Sequence, residues 1–294
     1  MSRTPEVVAL FGPTGSGKTA IAESVADALG TEVVSADALQ VYRGLPILTN
    51  QPHRPTHLVA IRDLADEMSV GEYAELAHAA IDALVAATGR AVLAGGTGLY
   101  LRAALCDLHV PPAVDRDLRV RLEQEYDTGP LAMYERLRAL DPVAASRVHP
   151  NDRRRVVRAL ELATVGRSLA PERDRLWSAE TRRPTLLVGL ELPRSRLEER
   201  IRKRTRAMFE RGVEAEVARA LRSRISRTAA SALGLRELAE LPAEAAFEAI
   251  VTRTLRYASY QRKWMRRIPG IVLLDADRPA GEVSREIVDL AGAR

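Results

Sequence analysis

The sequence predicts an α/β protein in which a parallel sheet flanked by helices is interrupted by a helical insertion. Short apolar runs alternate with helical patterns over the first third of the chain, and strands that alternate with helices pair in parallel. After Pro111-Pro112 only helical patterns follow, from Asp115 to about Glu180, and a strand pattern then returns at Thr185–Leu190. The insertion therefore lies inside the α/β core.

The individual elements follow from the period of the apolar residues. Strands are predicted at Val7–Phe11, Thr31–Ser35, Ala91–Ala94, Thr185–Leu190 and Ile271–Leu274. Helices are predicted at Thr19–Leu29, Glu72–Ala87, Asp117–Tyr126, Leu131–Leu140, Arg153–Val165, Ser195–Arg211 and Ala245–Arg267. We divide the chain into a catalytic core with arginine-rich C-terminal helices, residues 1–112 and 181–294, and a helical insertion domain, residues 113–180.

The composition is that of a globular protein, with 46% hydrophobic and 28% charged residues among 294. No apolar run approaches the ~20 residues that a membrane helix needs, so we expect no membrane partner. The chain enters its first strand almost at once, which is unlike a signal peptide. The single Cys106 excludes an intrachain disulfide framework. We expect a cytoplasmic monomer.

Positive charge is concentrated in the C-terminal part of the chain. Residues 1–110 carry 7 basic and 12 acidic side chains, whereas residues 194–270 carry 19 basic and 9 acidic ones. Such a gradient can attract a polyanion. A bias toward arginine also follows from a GC-rich genome, so charge alone leaves nucleic-acid binding open.

A phosphate-binding motif follows the first strand. The segment Gly12-Pro13-Thr14-Gly15-Ser16-Gly17-Lys18-Thr19 fits G-x-x-x-x-G-K-[ST] between a strand and a helix. Its glycines let backbone amides approach phosphate oxygens, and the helix N-terminus favours negative charge. Lys18 adds a point charge, and the Thr19 hydroxyl can bind Mg²⁺. The motif predicts a P-loop NTPase-like fold that binds Mg²⁺ and a di- or triphosphate.

The loop alone does not identify its ligand. ATPases and GTPases usually carry an acidic residue after a buried strand to help hold Mg²⁺. Here the strand Ala91–Ala94 runs into Gly95-Gly96-Thr97-Gly98, which has no carboxylate. Small-molecule kinases and diphosphate-using transferases remain.

Asp37 follows the second strand. Residues just past the carboxyl ends of parallel strands line the ligand crevice, so Asp37 is expected near the phosphate loop. It has three possible roles that spacing does not separate: a general base, an N-cap for a short helix, or a carboxylate that orients water around Mg²⁺.

A series of motifs resembles the tRNA dimethylallyltransferase (isopentenyl-diphosphate:tRNA transferase) family over nearly the whole chain. The matching segments are Gly12–Thr19, Asp37–Gly44, Gly95–Tyr100, Asp141–Asp152, Arg155–Glu161, Gly212–Val217, Ala232–Gly234 and Tyr257–Arg266. The chain departs from the family pattern at Arg153, at Pro46–Pro52 and at Ser259-Tyr260, where the family usually carries a Lys/Arg pair.

The resemblance implies a reaction. The dimethylallyl group of dimethylallyl diphosphate moves to the exocyclic N6 amine of the adenine beside the anticodon of tRNA, and diphosphate is released. Asp37 is then the general base. Lys18 and a Mg²⁺ ion on Thr19 stabilise charge on the departing diphosphate. The adenine must leave its stack to reach this site.

The resemblance also implies binding residues. For the diphosphate these are Gly12 to Thr19, together with Arg200 and Arg204. Those two arginines have an alternative interpretation as a solvated helix face paired with Glu198, Glu199 or Glu210. For tRNA the implied residues are Asp37, Ala38, Leu39, Gln40, Thr97, Arg119, Arg154, Arg155, Val156, Val157, Arg158, Leu233, Gly234, Gln261, Trp264 and Arg266. Trp264 has an alternative role in the core.

Three other functions are compatible with parts of this sequence. An isopentenyltransferase acting on free adenylate needs no helical insertion, which argues against it. A P-loop small-molecule kinase would use ATP on the same loop. An RNA-binding regulator with an inactive loop is disfavoured because Lys18, Thr19 and Asp37 are all intact.

Overall fold

The computed structural model describes residues 4–108, 115–170 and 175–292. The chain divides into two compact units. The larger is formed by Met1–Leu108 and Arg175–Arg294, and the smaller by His109–Asp174. Pro111-Pro112, where the helical insertion is predicted to begin, lies outside the described residues. The tRNA-binding role of the insertion stays a prediction.

The larger unit is built on a five-stranded sheet. Its strands are β1 (Val7–Phe11), β2 (Val33–Ser35), β3 (Ala91–Gly95), β4 (Thr185–Glu191) and β5 (Val272–Asp275). They lie in the order β2-β3-β1-β4-β5, and every neighbouring pair is parallel. The predicted fold class is confirmed, and the phosphate loop leaves the central strand.

Twelve helices accompany the sheet in the described residues. They are α1 (Lys18–Leu29), α2 (Val70–Thr88), α3 (Gly98–Leu105), α4 (Arg116–Thr128), α5 (Pro130–Leu140), α6 (Pro142–Arg147), α7 (Arg153–Thr164), α8 (Arg194–Glu210), α9 (Val213–Ala220), α10 (Leu235–Glu240), α11 (Ala243–Met265) and α12 (Ala280–Leu290). Helices α4 to α7 form the smaller unit. Among all the described residues, no helix is long and apolar enough to cross a membrane.

Both faces of the sheet are covered, as a parallel sheet requires. Along β1 the side chains alternate between two cores. Val7, Ala9 and Phe11 pack with α2 and α3, while Val8 and Leu10 pack with α1 and α12. This alternation holds β1 rigidly, so the loop that follows it has a fixed starting point.

The smaller unit has its own core, in which Leu122, Leu137 and Leu160 are almost fully buried. Two aspartates of the family-like motif begin its helices. Asp141 accepts a hydrogen bond from the Ala144 amide (2.9 Å), and Asp152 accepts one from the Arg155 amide (3.1 Å). Such N-caps satisfy helix-end amides and stabilise a helix by about 1 kcal/mol.

Every predicted strand and helix is present, with ends shifted by at most two residues. Five helices were not predicted from the sequence: α3, α6, α9, α10 and α12. Four of these have eight residues or fewer, too short for a clear helical period.

Gly95 gives a test of the packing between β3 and the segment that carries Asp37. A Cβ at this position would lie 2.1 Å from the Ala36 carbonyl oxygen, which is backbone and cannot rotate away. We expect Gly95→Ala to lower the free energy of unfolding by about 3 kcal/mol, measured by urea denaturation. Gly281→Ala in α12 is the control, because nothing lies within 4 Å of its Cβ. Equal midpoints for the two variants would contradict this packing.

Candidate active site

The phosphate loop connects β1 to α1. Gly15 and Gly17 adopt φ angles of 89° and 87°, a left-handed conformation that favours glycine. A Cβ on Gly12 would lie 2.9 Å from the Ser16 hydroxyl and 3.1 Å from Leu190. The glycines of the motif are therefore required by the backbone path, which brings the loop amides to the N-terminus of α1.

Lys18 lies inside the curve of this loop. Its Nζ donates hydrogen bonds to the carbonyl oxygens of Gly12 (2.7 Å) and Pro13 (2.8 Å). Burial lowers the pKa of Lys18 to about 8; the negative charge of Asp37 opposes this shift, and the positive charge of Arg204 adds to it. The side chain still has some accessible surface. A desolvated ammonium group of this kind gains when an anion binds beside it.

Arg204 adds a second, half-buried cation from α8. Its Nε is buried and has no hydrogen-bond partner among the described residues. Burial lowers the pKa of Arg204, again opposed by the charge of Asp37. An unpaired buried donor costs free energy in the unliganded protein, so a missing anionic partner explains it best.

Arg200 lies one turn earlier on α8. Its Nη1 lies 3.9 Å from the position of a Cβ on Gly17. Its hydrogen bonds to described residues are both long, 3.4 Å, to the Ala276 carbonyl and to Asp277. The alternative acidic partners, Glu198, Glu199 and Glu210, make no ion pair with Arg200 or Arg204 in the described part of the chain. Both arginines remain candidates for holding a diphosphate.

Asp37 serves as a cap and also keeps an oxygen available. Its Oδ1 accepts hydrogen bonds from the amides of Leu39 (2.9 Å) and Gln40 (3.4 Å). No described residue donates a hydrogen bond to Oδ2. Its charge acts on Lys18, on Arg204 and on the phenol of Tyr257. Capping and proton acceptance are thus compatible, because they use different oxygens.

Gln261 joins the phosphate loop to the glycine-rich segment after β3. Its Oε1 accepts a hydrogen bond from the Thr14 amide (2.8 Å), and its Nε2 donates one to the Gly96 carbonyl (2.8 Å). The side chain is 2% exposed. Both ends of the amide are used within the protein, which assigns Gln261 a positioning role. Its contact with tRNA stays a prediction.

Tyr257 lies one turn before Gln261 and was not among the predicted site residues. Its hydroxyl lies beside the side chains of Thr97 and Gln261. Burial, and secondarily the charge of Asp37, raises the pKa of Tyr257 to about 12, so the phenol keeps its proton. The i, i+4 spacing of Tyr257 and Gln261 on one helix face was the signal that could have identified it.

Thr97 and Ala38 also lie in this neighbourhood. The Thr97 hydroxyl accepts a long hydrogen bond from the Ala38 amide (3.3 Å). Trp264 packs its ring 4.6 Å from that of Trp177 and covers Gly98, where a Cβ would lie 2.2 Å from the indole. Trp264 is half-buried, and Arg266 is exposed.

The loop after Asp37 is held by internal hydrogen bonds. Gln40 accepts one from Ser35 (2.9 Å) and donates one to the Asn50 carbonyl (3.0 Å). The divergent segment Pro46–Pro52 is anchored by buried Glu216, whose carboxylate accepts hydrogen bonds from the amides of Ile47 (2.9 Å) and Leu48 (2.8 Å). The side chains of Leu39 and Leu233 are half-buried, and Gly234 is buried against Leu48.

The remaining predicted tRNA contacts belong to the smaller unit. Arg119 and Arg158 both pair with Glu161, which is 1% exposed, at 3.4 Å and 2.9 Å. The side chains of Val156 and Val157 are buried in the core. Arg154 and Arg155 are exposed, with a loose 3.6 Å pair between Arg155 and Asp152. Of the five residues from 154 to 158, these two present accessible charge.

The described residues include no group of three or more His, Cys, Asp or Glu side chains that could hold a metal ion. Thr19 lies in the first turn of α1, beside Lys18, and is partly exposed. A divalent ion here would therefore need phosphate oxygens and water to complete its shell, which is typical of Mg²⁺ on phosphorylated ligands.

Comparisons with known proteins agree on one family. The family model described as IPP transferase matches residues 40–268. A tRNA dimethylallyltransferase of Anaeromyxobacter dehalogenans is 40% identical, covering 96% of this chain and 97% of its own. One of Salinispora tropica is 41% identical, covering 92% and 88%.

Solved structures give the same result. The tRNA isopentenylpyrophosphate transferase of Bacillus halodurans superposes with a TM-score of 0.70 at 30% identity, covering 98% of this chain and 96% of its own. A eukaryotic dimethylallyltransferase acting on tRNA superposes with a TM-score of 0.77 at 25% identity, covering 97% and 78%.

Arg204 can be tested by separating stability from ligand binding. We expect Arg204→Met to leave the unfolding midpoint of the free protein unchanged or higher, because it removes a cation whose buried Nε has no hydrogen-bond partner in the described residues. Affinity for an alkyl diphosphate should fall about tenfold or more, the value of a hydrogen bond to a charged group. Both quantities can be followed by calorimetry. Arg206→Met, on the exposed side of α8, should change neither. Lost stability with unchanged affinity would contradict this role.

The lowered pKa of Lys18 predicts a pH dependence of diphosphate binding. In the free protein Lys18 loses its proton as the pH rises through about 8. Because the anion binds the charged form, the dissociation constant of an alkyl diphosphate should rise about tenfold between pH 7 and pH 9. Binding should also take up a proton in that range. Lys18→Arg stays charged and should give a flat profile. A flat profile for the unmodified protein would refute the prediction.

Proposed function

This chain belongs to the IPP transferase family, and from that premise we propose that it is a tRNA dimethylallyltransferase. It transfers the dimethylallyl group from dimethylallyl diphosphate to the N6 amine of the adenine adjacent to the anticodon, and it releases diphosphate. The observation that carries this proposal is a pair of half-buried cations, Lys18 and Arg204, at the phosphate loop and within the field of one carboxylate, Asp37.

This arrangement suits alkyl transfer with a diphosphate leaving group. The N6 lone pair forms a bond to the first carbon of the dimethylallyl group, and the carbon–oxygen bond breaks with its electrons remaining on the diphosphate. The amine proton passes to Oδ2 of Asp37. The amides of the turn donate their hydrogen bonds to Oδ1, so they leave Oδ2 available. Opposite charges thus develop at the two ends of the reacting system.

The loop stabilises the negative end. Amides of the phosphate loop, Lys18 and Arg204 are fixed before the reaction, so they need little reorganisation as charge builds on the leaving oxygen. Preorganised donors of this kind contribute roughly 3–4 kcal/mol each where mutagenesis has removed one. Arg200 lies beside Gly17 and can add a further donor.

A divalent ion, Mg²⁺ in this proposal, fits the hydroxyl of Thr19 and the oxygens of the ligand. When bound it would neutralise part of the diphosphate charge. The Thr19 hydroxyl is a hard oxygen donor of the kind that Mg²⁺ prefers, and the absence of a ready carboxylate cage in the described residues fits an ion that enters with its substrate.

The tRNA substrate is bound through its anticodon stem-loop. The target adenine must leave its stack, because the amine has to reach Asp37 beside the phosphate loop. Burial raises the pKa of Tyr257 to about 12, so its phenol, which lies beside Thr97 and Gln261, keeps its proton and can donate a hydrogen bond near the base. Arg154 and Arg155 are accessible for phosphate contacts in the smaller unit. Since the substrate is tRNA, we place the activity in the cytoplasm.

The decisive experiment is incubation with unmodified tRNA, Mg²⁺ and labelled dimethylallyl diphosphate. Label should reach the adenine next to the anticodon, and omission of the divalent ion should suppress the reaction. Label on free adenylate but not on tRNA would instead support the adenylate transferase. Phosphate transfer from ATP with no alkyl transfer would support a kinase.

Asp37→Asn tests the general base with little structural disturbance. An asparagine side chain can still accept hydrogen bonds from the Leu39 and Gln40 amides, so the turn should persist. We expect transfer to fall by at least about a hundredfold, the lower end of general-base contributions, while tRNA binding stays within a few-fold. Single-turnover rates and filter binding measure the two effects. Transfer near the unmodified rate would show that Asp37 is not the base.

A further inference from the structure

Tyr260 is an exposed aromatic residue held in a fixed orientation. Tyr260 is 56% exposed, which is a high exposure for a large aromatic residue. Its hydroxyl accepts a hydrogen bond of 2.7 Å from Nε1 of Trp264, one turn later on α11. Its ring is nearly parallel to that of Tyr257, with 23° between the planes and 6.4 Å between centroids. Tyr260 is therefore a rigid, accessible ring.

The support beneath Tyr260 is itself well packed. Trp264 lies against Trp177 with ring centroids 4.6 Å apart, and the guanidinium of Arg267 lies 3.8 Å above the Trp177 ring. Through this cation–π contact, Arg267 covers Trp177, the ring of the Trp177–Trp264 pair that is farther from Tyr260. Tyr260 is at the open end, where one ring face has no partner ring in the described structure.

Unpaired positive charge surrounds Tyr260. Arg256 and Lys263 are exposed and lie four residues before and three residues after it, on the same face of α11. Neither makes an ion pair within the described residues. By contrast, Arg196 and Arg202 on α8 pair with Asp277 and Glu248. An aromatic ring between free cations is typical of a single-stranded nucleic-acid contact.

The position of this face relative to Asp37 follows from Trp264. The Tyr260 hydroxyl is hydrogen-bonded to Trp264, whose indole covers Gly98. The neighbouring Thr97 accepts a hydrogen bond from the amide of Ala38, the residue that follows Asp37. Tyr260 therefore lies next to the place where the target adenine must arrive. When that base leaves its stack, the nucleotides beside it lose a stacking partner.

We propose that Tyr260 stacks against one of the two nucleobases that flank the target adenine, while Arg256 and Lys263 bind the neighbouring phosphates. This inference rests on the proposed tRNA substrate. It makes Tyr260 a residue that determines tRNA affinity and register, and the part it plays is in binding and not in the alkyl-transfer step. At Ser259-Tyr260, where the chain departs from the family pattern, stacking takes the place of a charged contact.

The test is a double-mutant cycle between the protein and an anticodon stem-loop RNA. Tyr260→Ala should weaken binding about tenfold, within the range that stacking on one base contributes. Tyr260→Phe keeps the ring and should bind within about twofold. An abasic substitution at the correct flanking position should weaken binding by itself and make Tyr260→Ala nearly silent.

Salt dependence separates stacking from charge. Tyr260→Ala should leave the slope of log Kd against log salt concentration unchanged, whereas Lys263→Ala should reduce it by about 0.7, the value for one phosphate of a single strand. The single-turnover rate at saturating RNA should be unchanged in Tyr260→Ala, as should the affinity for an alkyl diphosphate.

Three results would overturn the inference: additive effects of Tyr260→Ala with abasic sites at both flanking positions, Tyr260→Phe as weak as Tyr260→Ala, or a changed diphosphate affinity. Failure of the proposed function is distinguishable, because the unmodified protein would then transfer no label to tRNA. Transfer that proceeds normally, with no coupling to either base, overturns the role of Tyr260 alone.

Discussion

The carboxamide of Gln261 is the interaction on which the candidate site depends. It connects the phosphate loop after β1 with the glycine-rich segment after β3, through one hydrogen bond at each end. A buried amide whose oxygen and nitrogen both form hydrogen bonds can take only one orientation. It therefore fixes the rotation of α11 about its axis. Tyr257, Tyr260 and Trp264 take their places from that rotation. The ligand loops and the aromatic face are therefore positioned by a single side chain.

The site is also costly in the absence of its ligand. Within the described residues, the hydrogen bonds of the Lys18 ammonium all go to carbonyl groups, and a buried nitrogen of Arg204 has no partner. The well-packed sheet, covered on both faces, supplies the stability that holds these groups in place. A bound diphosphate would satisfy both cations. In the proposed reaction, the same arrangement would stabilise the departing diphosphate.

Much of this was predictable from the sequence, for physical reasons. The strand, glycine loop and helix at Gly12–Thr19 form a local pattern whose chemistry is set by backbone geometry. The position of Asp37 followed from the rule that parallel strands end at one edge. Contacts between distant segments were not predictable: the pairing of Gln261 with Thr14 and Gly96, the missing partner of Arg204 and the place of Tyr257 depend on how α8 and α11 pack. Short helices such as α9 and α10 lack a readable period.

Glu216 holds the backbone of Pro46–Pro52 in a way that does not depend on the side chains of that segment. This carboxylate grips the segment Pro46–Pro52 by accepting hydrogen bonds from the backbone amides of Ile47 and Leu48. Every residue except proline has the same backbone amide, so these two hydrogen bonds do not depend on which side chains are present. This segment, where the chain departs from the family pattern, is thus held through backbone atoms that a substitution leaves unchanged. Side chains in this segment can therefore be exchanged without loss of the two hydrogen bonds that fix its path.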